Sequence, residues 1–255
     1  MRMRRKKHGA ERIAACSSLL IQDPALLTTV LPDGTPLFRT PGDLQLEIGC
    51  GKGDFAVGMA AAYPHINFIA MERVADVACL ALEKAMAAAP DRLHDNLRFL
   101  IGNAENLGEW LAPGVLSRIY LNFSDPWPKA GYAKRRLTHR RFLELYRSLL
   151  RADGELWLKT DNEGLFDFSL EEFSAVGLTT LYVSRDFHAA PESADNIMTE
   201  YERNFSSQGK PIFCARIRTL HRRRFRCRSR RRIRRAECLP SGRRNMKRTD
   251  FLSVS

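Results

Sequence analysis

Short apolar segments alternate with helix-forming segments from Asp43 onward, and this alternation constrains the fold more than any other feature of the chain. Five strand-like segments, each followed by a helical pattern, cover residues 44–48, 67–71, 96–101, 119–123 and 154–160. Two further apolar segments, 178–184 and 211–217, come near the end of this region. Alternation of this kind is typical of βαβ units and a parallel sheet. We therefore predict an α/β fold with a seven-stranded, mostly parallel sheet and helices on both faces.

The segments between the strands have helical patterns with recognisable ends. Helices are predicted over residues 54–63, 74–89, 105–111, 138–150, 163–176 and 199–206. Thr138 is a candidate N-cap for the fourth of these helices, because its hydroxyl could accept a hydrogen bond from the first turn. Gly177 is predicted to end the fifth helix, since glycine adopts the left-handed backbone conformation that often follows a helix.

The positive charge of the chain is concentrated at its end. The 255 residues carry a formal net charge of +12, but 16 of the 41 Lys and Arg residues follow Ala215, with only Glu237 and Asp250 among them. The remaining 25 basic and 27 acidic residues leave the main body nearly neutral. The net charge is therefore no evidence that the main body binds nucleic acid.

This distribution predicts three regions. Residues 1–42 form a basic N-terminal arm with a lead-in helix, residues 43–218 form one α/β domain, and residues 219–255 form a basic tail in which disorder is expected. The tail could grip RNA, be dispensable, or be the product of a reading-frame change, and we favour the last two. For the arm, RNA contact and a merely solvated terminus are equally compatible with the sequence.

Cysteine spacing and hydropathy exclude several classes of protein. The six cysteines form no C-x-x-C pair and no Cys/His cluster with zinc spacing, so no metal site is expected and the thiols should be free. The basic N-terminus lacks the apolar region of a secretory signal, and no run of about 18 or more apolar residues could cross a membrane. These features predict a cytoplasmic protein.

A glycine-rich loop, LEIGCGKG at residues 46–53, joins the first strand to the first helix of the domain. Gly49 and Gly51 would let the backbone turn tightly and approach a cofactor closely. The loop is not a P-loop, because Lys52 is followed by Gly53, and it also differs from the G-x-G-x-x-G of dinucleotide enzymes. With Glu47 on the preceding strand, it resembles the loop of S-adenosylmethionine (AdoMet) enzymes. An ordinary glycine-rich turn is the alternative.

Two polar residues end the next two strands. Glu72 comes 21 positions after Gly51, close to the spacing of an acid that accepts hydrogen bonds from ribose hydroxyls. A solvent-facing Glu before a helix is the alternative. Asn103 could hydrogen-bond an adenine edge, or could equally be a helix N-cap.

The segment IYLNFSDPWPKAGYAKRR at residues 119–136 joins a strand to an acid, a stiff turn and a basic run. Asp125 lies at the carboxyl end of the strand, where open α/β sheets bind ligands. Pro126 and Pro128 bracket Trp127 and would hold its ring in place. The basic and aromatic side chains that follow suit an anionic partner whose reactive group is a base. A β-turn before a solvated helix is the alternative.

Two further motifs follow. KTDN at residues 159–162 ends the fifth strand and would bring Asp161, a second acid suited to guanine N–H groups, to the same edge of the sheet. TEYE at residues 199–202 combines a hydroxyl, two acids and an aromatic ring. A simple turn and an exposed helix start are their respective alternatives.

In this order, the motifs resemble those of the bacterial tRNA (guanine-N(7)-)-methyltransferases. The shared landmarks are LEIGCGKG, Glu72, YLNFSDPWPK with KRRL, LKTDNEGLF, NIMTEYE and GKPIF, and the resemblance ends near Arg218. It implies a Rossmann-like class I methyltransferase domain with AdoMet as methyl donor. The implied reaction is methylation of N(7) of a guanine in the variable loop of tRNA, at tRNA position 46.

The resemblance also implies roles for individual residues, with Asp125 as the catalytic acid. Cofactor contacts are implied for Glu47, Gly49, Gly51, Glu72, Asn103 and Asp125. Substrate contacts are implied for Lys129, Asp161, Thr199, Glu200, Tyr201 and Glu202. RNA contacts are implied for Gly131, Tyr132, Ala133, Lys134, Arg135 and Arg136. The family often has Asp at the position of Asn103. We expect no metal ion, and we predict that the protein is a monomer or a homodimer.

Two other functions share some of these features. A class I methyltransferase acting on a protein or a small molecule would have the glycine loop and Glu72, but would not need the basic loop after residue 129. A non-catalytic RNA-binding protein with a vestigial fold is the second alternative. The presence of Glu47, Glu72 and Asp125 together argues against it.

Overall fold

The centre of the protein is a seven-stranded sheet whose first five strands are parallel. The structure, a computed structural model, describes residues 6–23, 37–38, 41–89 and 95–218. Its strands are β1 (Asp43–Ile48), β2 (Ile66–Glu72), β3 (Leu97–Ile101), β4 (Leu116–Asn122), β5 (Leu150–Thr160), β6 (Thr179–Ser184) and β7 (Phe213–Arg218). Their order is β3-β2-β1-β4-β5-β7-β6, and β7 runs antiparallel to both of its neighbours. The predicted sheet is confirmed.

Helices cover both faces of the sheet. The described residues form α1 (Gly9–Ala15), α2 (Asp54–Ala62), α3 (Ala75–Ala88), α4 (Leu107–Trp110), α5 (Arg140–Leu149), α6 (Glu163–Ala175) and α7 (Glu200–Ser206). Side chains of β2 alternate between two apolar clusters, as the pleat requires. Ile69 and Met71 pack in the cluster that contains α5 and α6, whereas Phe68 and Ala70 pack in the cluster that contains α2 and α3. The core is therefore split into two layers by the sheet.

The lead-in helix α1 lies against α3. The Arg12 guanidinium donates two hydrogen bonds to the Glu83 carboxylate, each at 2.6 Å, and the backbone N–H of Lys6 donates to Asp76 at 2.9 Å. The predicted arm before Lys6 and the predicted tail, 219–255, lie outside the described residues. No helix in the described ranges is long and apolar enough to cross a membrane.

The predicted cap at Thr138 is wrong. Thr138 is fully buried, and its Oγ1 accepts a hydrogen bond from Ser169 Oγ of α6 at 2.8 Å. His139 is the N-cap of α5 instead, with its Nδ1 accepting from the backbone N–H of Arg141 at 3.2 Å. A contact with a residue of α6 thus removes the Thr138 hydroxyl from the turn that begins α5, which a local sequence pattern cannot reveal.

The predicted boundary between α5 and β5 is also wrong by several residues. The helix ends at Leu149 and the strand begins at once at Leu150, four positions before the predicted start at Gly154. Leu150 is fully buried and pairs with Leu116 of β4, and the register then shifts before Arg118. Pairing across the sheet extends this strand beyond its locally apolar segment.

Candidate functional site

The carboxyl ends of β1 and β4 lie side by side, at the point where the order of strands reverses. The connections that follow these strands leave towards opposite faces, so a crevice opens between them, as in other doubly wound sheets. Two adjoining cavities of about 310 and 600 Å³ occupy this edge. Gly49 and Phe123 line both cavities, so their shared border lies at the switch point.

The glycine loop forms the floor of the first cavity. Gly49 and Gly51 have positive φ values of 82° and 57°, and a Cβ atom added to either would meet no atom within 4 Å. Gly53 also has a positive φ, 81°, but its Cβ would lie 2.9 Å from Cβ of Ala81 on α3. The first two glycines therefore leave room for a ligand, whereas Gly53 permits close packing of two helices.

Glu47 places a buried carboxylate on the wall of the first cavity. Glu47 is 1% exposed, and its Oε1 accepts a hydrogen bond from Asn122 Nδ2 at 2.8 Å. Its Oε2 is buried and accepts no hydrogen bond from the described residues. Burial raises the pKa of Glu47 to about 7, although the bond from Asn122 and the charge of Lys159 oppose that rise. Such an oxygen suits a ligand that brings an N–H donor or a positive charge.

Glu72 fastens the glycine loop to β2. Its Oε2 accepts from the backbone N–H of Gly51 at 3.1 Å, and its Oε1 accepts from that of Val74 at 2.9 Å. Glu72 also lines the second cavity. Each carboxylate oxygen has further acceptor capacity, so ligand hydroxyls could still bind.

Asn103 is an N-cap, which was one of the two roles considered for it from the sequence. Its Oδ1 accepts from the backbone N–H of Glu105 at 3.3 Å, and it caps the short 3-10 turn Ala104–Asn106. Its Nδ2 donates to the Glu105 carboxylate at 3.1 Å. Because Asn103 also lines the second cavity, contact with an adenine edge stays a prediction.

Asp125 lies on the rim of the second cavity, in a turn with unusual backbone geometry. It is exposed, and no described residue donates a hydrogen bond to its carboxylate. Phe123 and Trp127, two residues to either side, have positive φ values of 52° and 42°. Arg136 holds the turn in place by donating to the backbone oxygens of Pro126, at 2.9 Å, and Trp127, at 3.0 Å. Strained backbone persists where its surroundings fix it in this way.

An exposed basic and aromatic surface follows the turn, on the 3-10 segment Ala130–Arg135. The Arg135 guanidinium lies 5.0 Å from the ring centre of Trp127 and 4.5 Å from that of Tyr132. Lys129, Lys134 and Gly131 are exposed, whereas Ala133 is half-buried. We call residues 129–135 the basic loop. Arg136, in contrast, is half-buried and uses two of its donors on the turn.

The TEYE segment forms the opposite rim, over the first cavity. Thr199 caps α7 in a capping box with Glu202, and Glu200 forms an exposed ion pair with Lys52 of the glycine loop at 2.9 Å. The Tyr201 hydroxyl donates to Asp161 at 3.3 Å, and its ring packs on Phe123 at a centroid distance of 5.1 Å. Thr199, Glu200 and Tyr201 all line this cavity.

Glu202 differs from its neighbours because it is completely buried and lines neither of the two cavities. Its carboxylate is hydrogen-bonded to Lys159, His188 and Asn196. Lys159, from β5, was not among the predicted site residues, and neither were Asn122 and Phe123. The signal for Lys159 was available, since a lysine inside an apolar strand must be paired once the strand is buried.

Comparison with known proteins identifies the family. A protein-family model described as "Putative methyltransferase" matches residues 42–215. A tRNA (guanine-N(7)-)-methyltransferase of Limosilactobacillus reuteri is 42% identical over 213 residues, which cover 84% of this chain and 97% of that protein. The chain belongs to the tRNA (guanine-N(7)-)-methyltransferase family. The corresponding proteins of Lysinibacillus sphaericus (43% identical, covering 84% of this chain and 95% of that one) and Brevibacillus brevis (48%, covering 69% and 80%) agree.

Solved structures support the class I methyltransferase fold of this family member. The crystal structure of the 16S rRNA methyltransferase KamB has a TM-score of 0.54 and 13% identity, over 70% of this chain and 88% of that one. An antibiotic-related methyltransferase gives 0.52 and 15%, with the same coverage. At such low identity these likenesses concern the fold alone.

In this member of the family, the predicted cofactor residues gather around the two cavities. The predicted substrate residues divide between the two rims, with Lys129 on the basic loop and Asp161, Thr199, Glu200 and Tyr201 on the opposite side. Glu202 lies beneath the second group. Within the part of the chain that the structure describes, no group of three or more His, Cys, Asp or Glu side chains could hold a metal ion.

Proposed function

We propose that this chain transfers a methyl group from AdoMet to N(7) of a guanine in the variable loop of tRNA, at tRNA position 46. The observation that carries this proposal is the position of Asp125. It lies on the rim of a ligand-sized cavity, and the exposed basic loop that follows combines three basic side chains with the aromatic ring of Tyr132. A small-molecule methyltransferase has no need of such a loop, whereas an RNA substrate does.

The chain's residues fit AdoMet. The unpaired Oε2 of Glu47 would accept from the amino group of the methionine portion, and Gly49 and Gly51 would lie against that portion without steric conflict. Glu72 and Asn103 would contact the nucleoside portion in the second cavity. When bound, AdoMet supplies an electrophilic methyl group.

The chemistry that remains for the protein is mainly positioning. Guanine N(7) already exposes a lone pair on the major-groove edge, so no proton must leave before it reacts and the site needs no strong base. Asp125 orients the guanine and offsets the positive charge that develops on the ring. Positioning of this kind contributes roughly 7 to 11 kcal/mol in favourable cases.

The two rims divide the work of substrate binding. Lys129, Asp161, Thr199, Glu200 and Tyr201 bind around the target nucleotide, while residues 131–135 follow the tRNA backbone. Arg136, for which the resemblance implied an RNA contact, instead holds the turn that carries Asp125. We assign residues 43–218 to the methyltransferase domain and residues 1–42 to an arm and lead-in helix. The tail, 219–255, is not required. A tRNA substrate places the reaction in the cytoplasm, and the enzyme acts as a monomer or a homodimer without a metal ion.

Incubation with bulk tRNA and AdoMet carrying a labelled methyl group tests this function. The proposal requires label in 7-methylguanosine after digestion of the tRNA to nucleosides. Label in another nucleoside, or in protein only, would show that the reaction has been assigned wrongly. Asp125→Asn is the matched control, since it keeps the size of the side chain and removes its charge.

A further inference from the structure

A buried ion pair, formed by Lys159 and the last residue of the TEYE segment, Glu202, lies beneath residues 199–201. Lys159, at the carboxyl end of β5, is 6% exposed, and Glu202 on α7 is 0% exposed. Lys159 Nζ donates to Glu202 Oε2 at 2.6 Å, to Asn196 Oδ1 at 3.0 Å and to the backbone oxygen of Ile197 at 3.2 Å. All three donors of the ammonium group are therefore used inside the protein.

The other oxygen of Glu202 is also occupied. Glu202 Oε1 lies 2.9 Å from His188 Nε2 and 2.7 Å from Asn196 Nδ2. Burial alone would raise the pKa of Glu202, but Lys159 and the hydrogen bonds lower it below its usual value. The carboxylate is thus ionised and saturated with partners, and a substrate group could reach it only if this network opened.

The pair joins three separate pieces of chain. Lys159 belongs to the sheet, Asn196 and Ile197 belong to the loop before α7, and Glu202 closes the capping box with Thr199. Two ion pairs that tie other residues of α7 to the glycine loop and α2 are more exposed, namely Lys52 with Glu200 and Arg203 with Asp54. Exposed pairs contribute little, whereas breaking a buried pair is strongly destabilising.

We propose that the buried Lys159–Glu202 pair is a latch that seats residues 199–201 on the rim of the first cavity. Glu202 is then a positioning residue: its ion pair with Lys159 holds residues 199–201 in place, and Glu202 itself does not touch the substrate. Lys159 is a second positioning residue of the same kind. This inference rests on the proposed function only for the identity of the substrate, because the latch itself is a property of the free protein.

Hydrogen exchange in the free protein tests the latch without any activity. Lys159→Met and Glu202→Gln should each speed the exchange of the amides at 199–206 by about tenfold or more, because each leaves a buried charge without its ion-pair partner. The double variant carries no uncompensated buried charge, so it should fold even if a single variant does not. Lys7→Met, which removes an exposed lysine just before α1, is the matched control and should leave exchange at 199–206 unchanged.

Kinetics then separate positioning from direct contact. If the pair is a latch, both single variants and the double variant should lower kcat/KM for tRNA by a similar factor, about tenfold, since the second change removes nothing further. If Glu202 binds the substrate itself, Glu202→Gln should be severe, Lys159→Met mild, and the two effects should multiply. Unchanged exchange at 199–206 in both single variants would overturn the latch. A wild-type protein that methylates no tRNA would instead contradict the proposed function and leave the exchange result valid.

Discussion

Asn122 Nδ2 donates a hydrogen bond to Glu47 Oε1 across the β1/β4 edge, at 2.8 Å, and Glu47 Oε2 is left buried without a partner among the described residues. The bond fixes the orientation of the carboxylate. Because Glu47 lines the first cavity, this buried oxygen is a candidate acceptor for a ligand bound there. Two predictions depend on this relationship.

The first concerns the affinity for AdoMet as a function of pH. Burial raises the pKa of Glu47 to about 7, so the carboxyl is largely protonated below that pH. A cationic amino group binds the ionised form, so affinity should fall by up to tenfold for each pH unit below about 7. Calorimetric titration from about pH 5.5 to about pH 8 measures it. Glu47→Gln should bind weakly with a flat profile, and an equally flat profile in the wild type would exclude this role.

The second concerns stability without ligand. Because the folded pKa of Glu47 lies above its usual value of 4.5, the folded state holds a proton that the unfolded state has already lost between pH 4.5 and about 7. This group therefore makes stability fall as the pH rises through that window, by up to about 3 kcal/mol, and the loss persists above it. Glu47→Gln should remove that loss. Chemical denaturation of both proteins at about pH 5 and pH 8 should show the variant gaining relative to the wild type at the higher pH.

A pair of glycine substitutions should separate ligand binding from packing. Gly49→Ala introduces only backbone strain, about 1 to 2 kcal/mol, but its methyl group would enter the space shared by the two cavities, so AdoMet affinity should fall. Gly53→Ala adds a contact of 2.9 Å with Ala81 to similar strain, so its main effect should be a loss of stability of roughly 2 to 5 kcal/mol. Thermal unfolding and ligand titration of both variants check the contrast. Equal losses of stability would contradict it.

Neighbouring arginines should have different kinetic roles. Arg135 is exposed over Trp127 and Tyr132, so Arg135→Ala should raise KM for tRNA and reduce the salt slope of binding by about 1. Arg136 holds the backbone oxygens of Pro126 and Trp127, so Arg136→Ala should loosen the turn that carries Asp125 and lower kcat. Steady-state kinetics at several salt concentrations measure both effects. Matching changes in the two variants would place both arginines on the RNA.

The fold could be predicted from the sequence because the hydrophobic periodicity of a strand or a helix can be read within its own short segment. The seven strands and the glycine loop each follow from their own segments. Two predictions were wrong because a residue distant in sequence determines the local structure. Ser169 binds the hydroxyl of Thr138, which was predicted to be a cap, and Leu116 pairs with Leu150, so that β5 begins earlier than predicted. Pairing of this kind has no local signal.

The site was predictable at the ends of strands and less so beneath them. Glu47, Glu72 and Asp125 come together because parallel strands share one edge. The burial of Glu202 and its ion pair with Lys159 depend on where α7 packs. The four-residue motif TEYE does not contain that information. The hydrogen bonds by which Arg136 holds the Asp125 turn could not be predicted either, since their acceptors are backbone oxygens.

The central claim is transfer of a methyl group to guanine N(7), and one comparison tests it most directly. Two otherwise identical tRNA transcripts carry either guanosine or 7-deazaguanosine at position 46, and each is incubated with the wild-type protein and labelled AdoMet. The two bases differ only in the nitrogen that should react. We predict stoichiometric labelling of the first transcript and none of the second. Equal labelling of both would contradict the account.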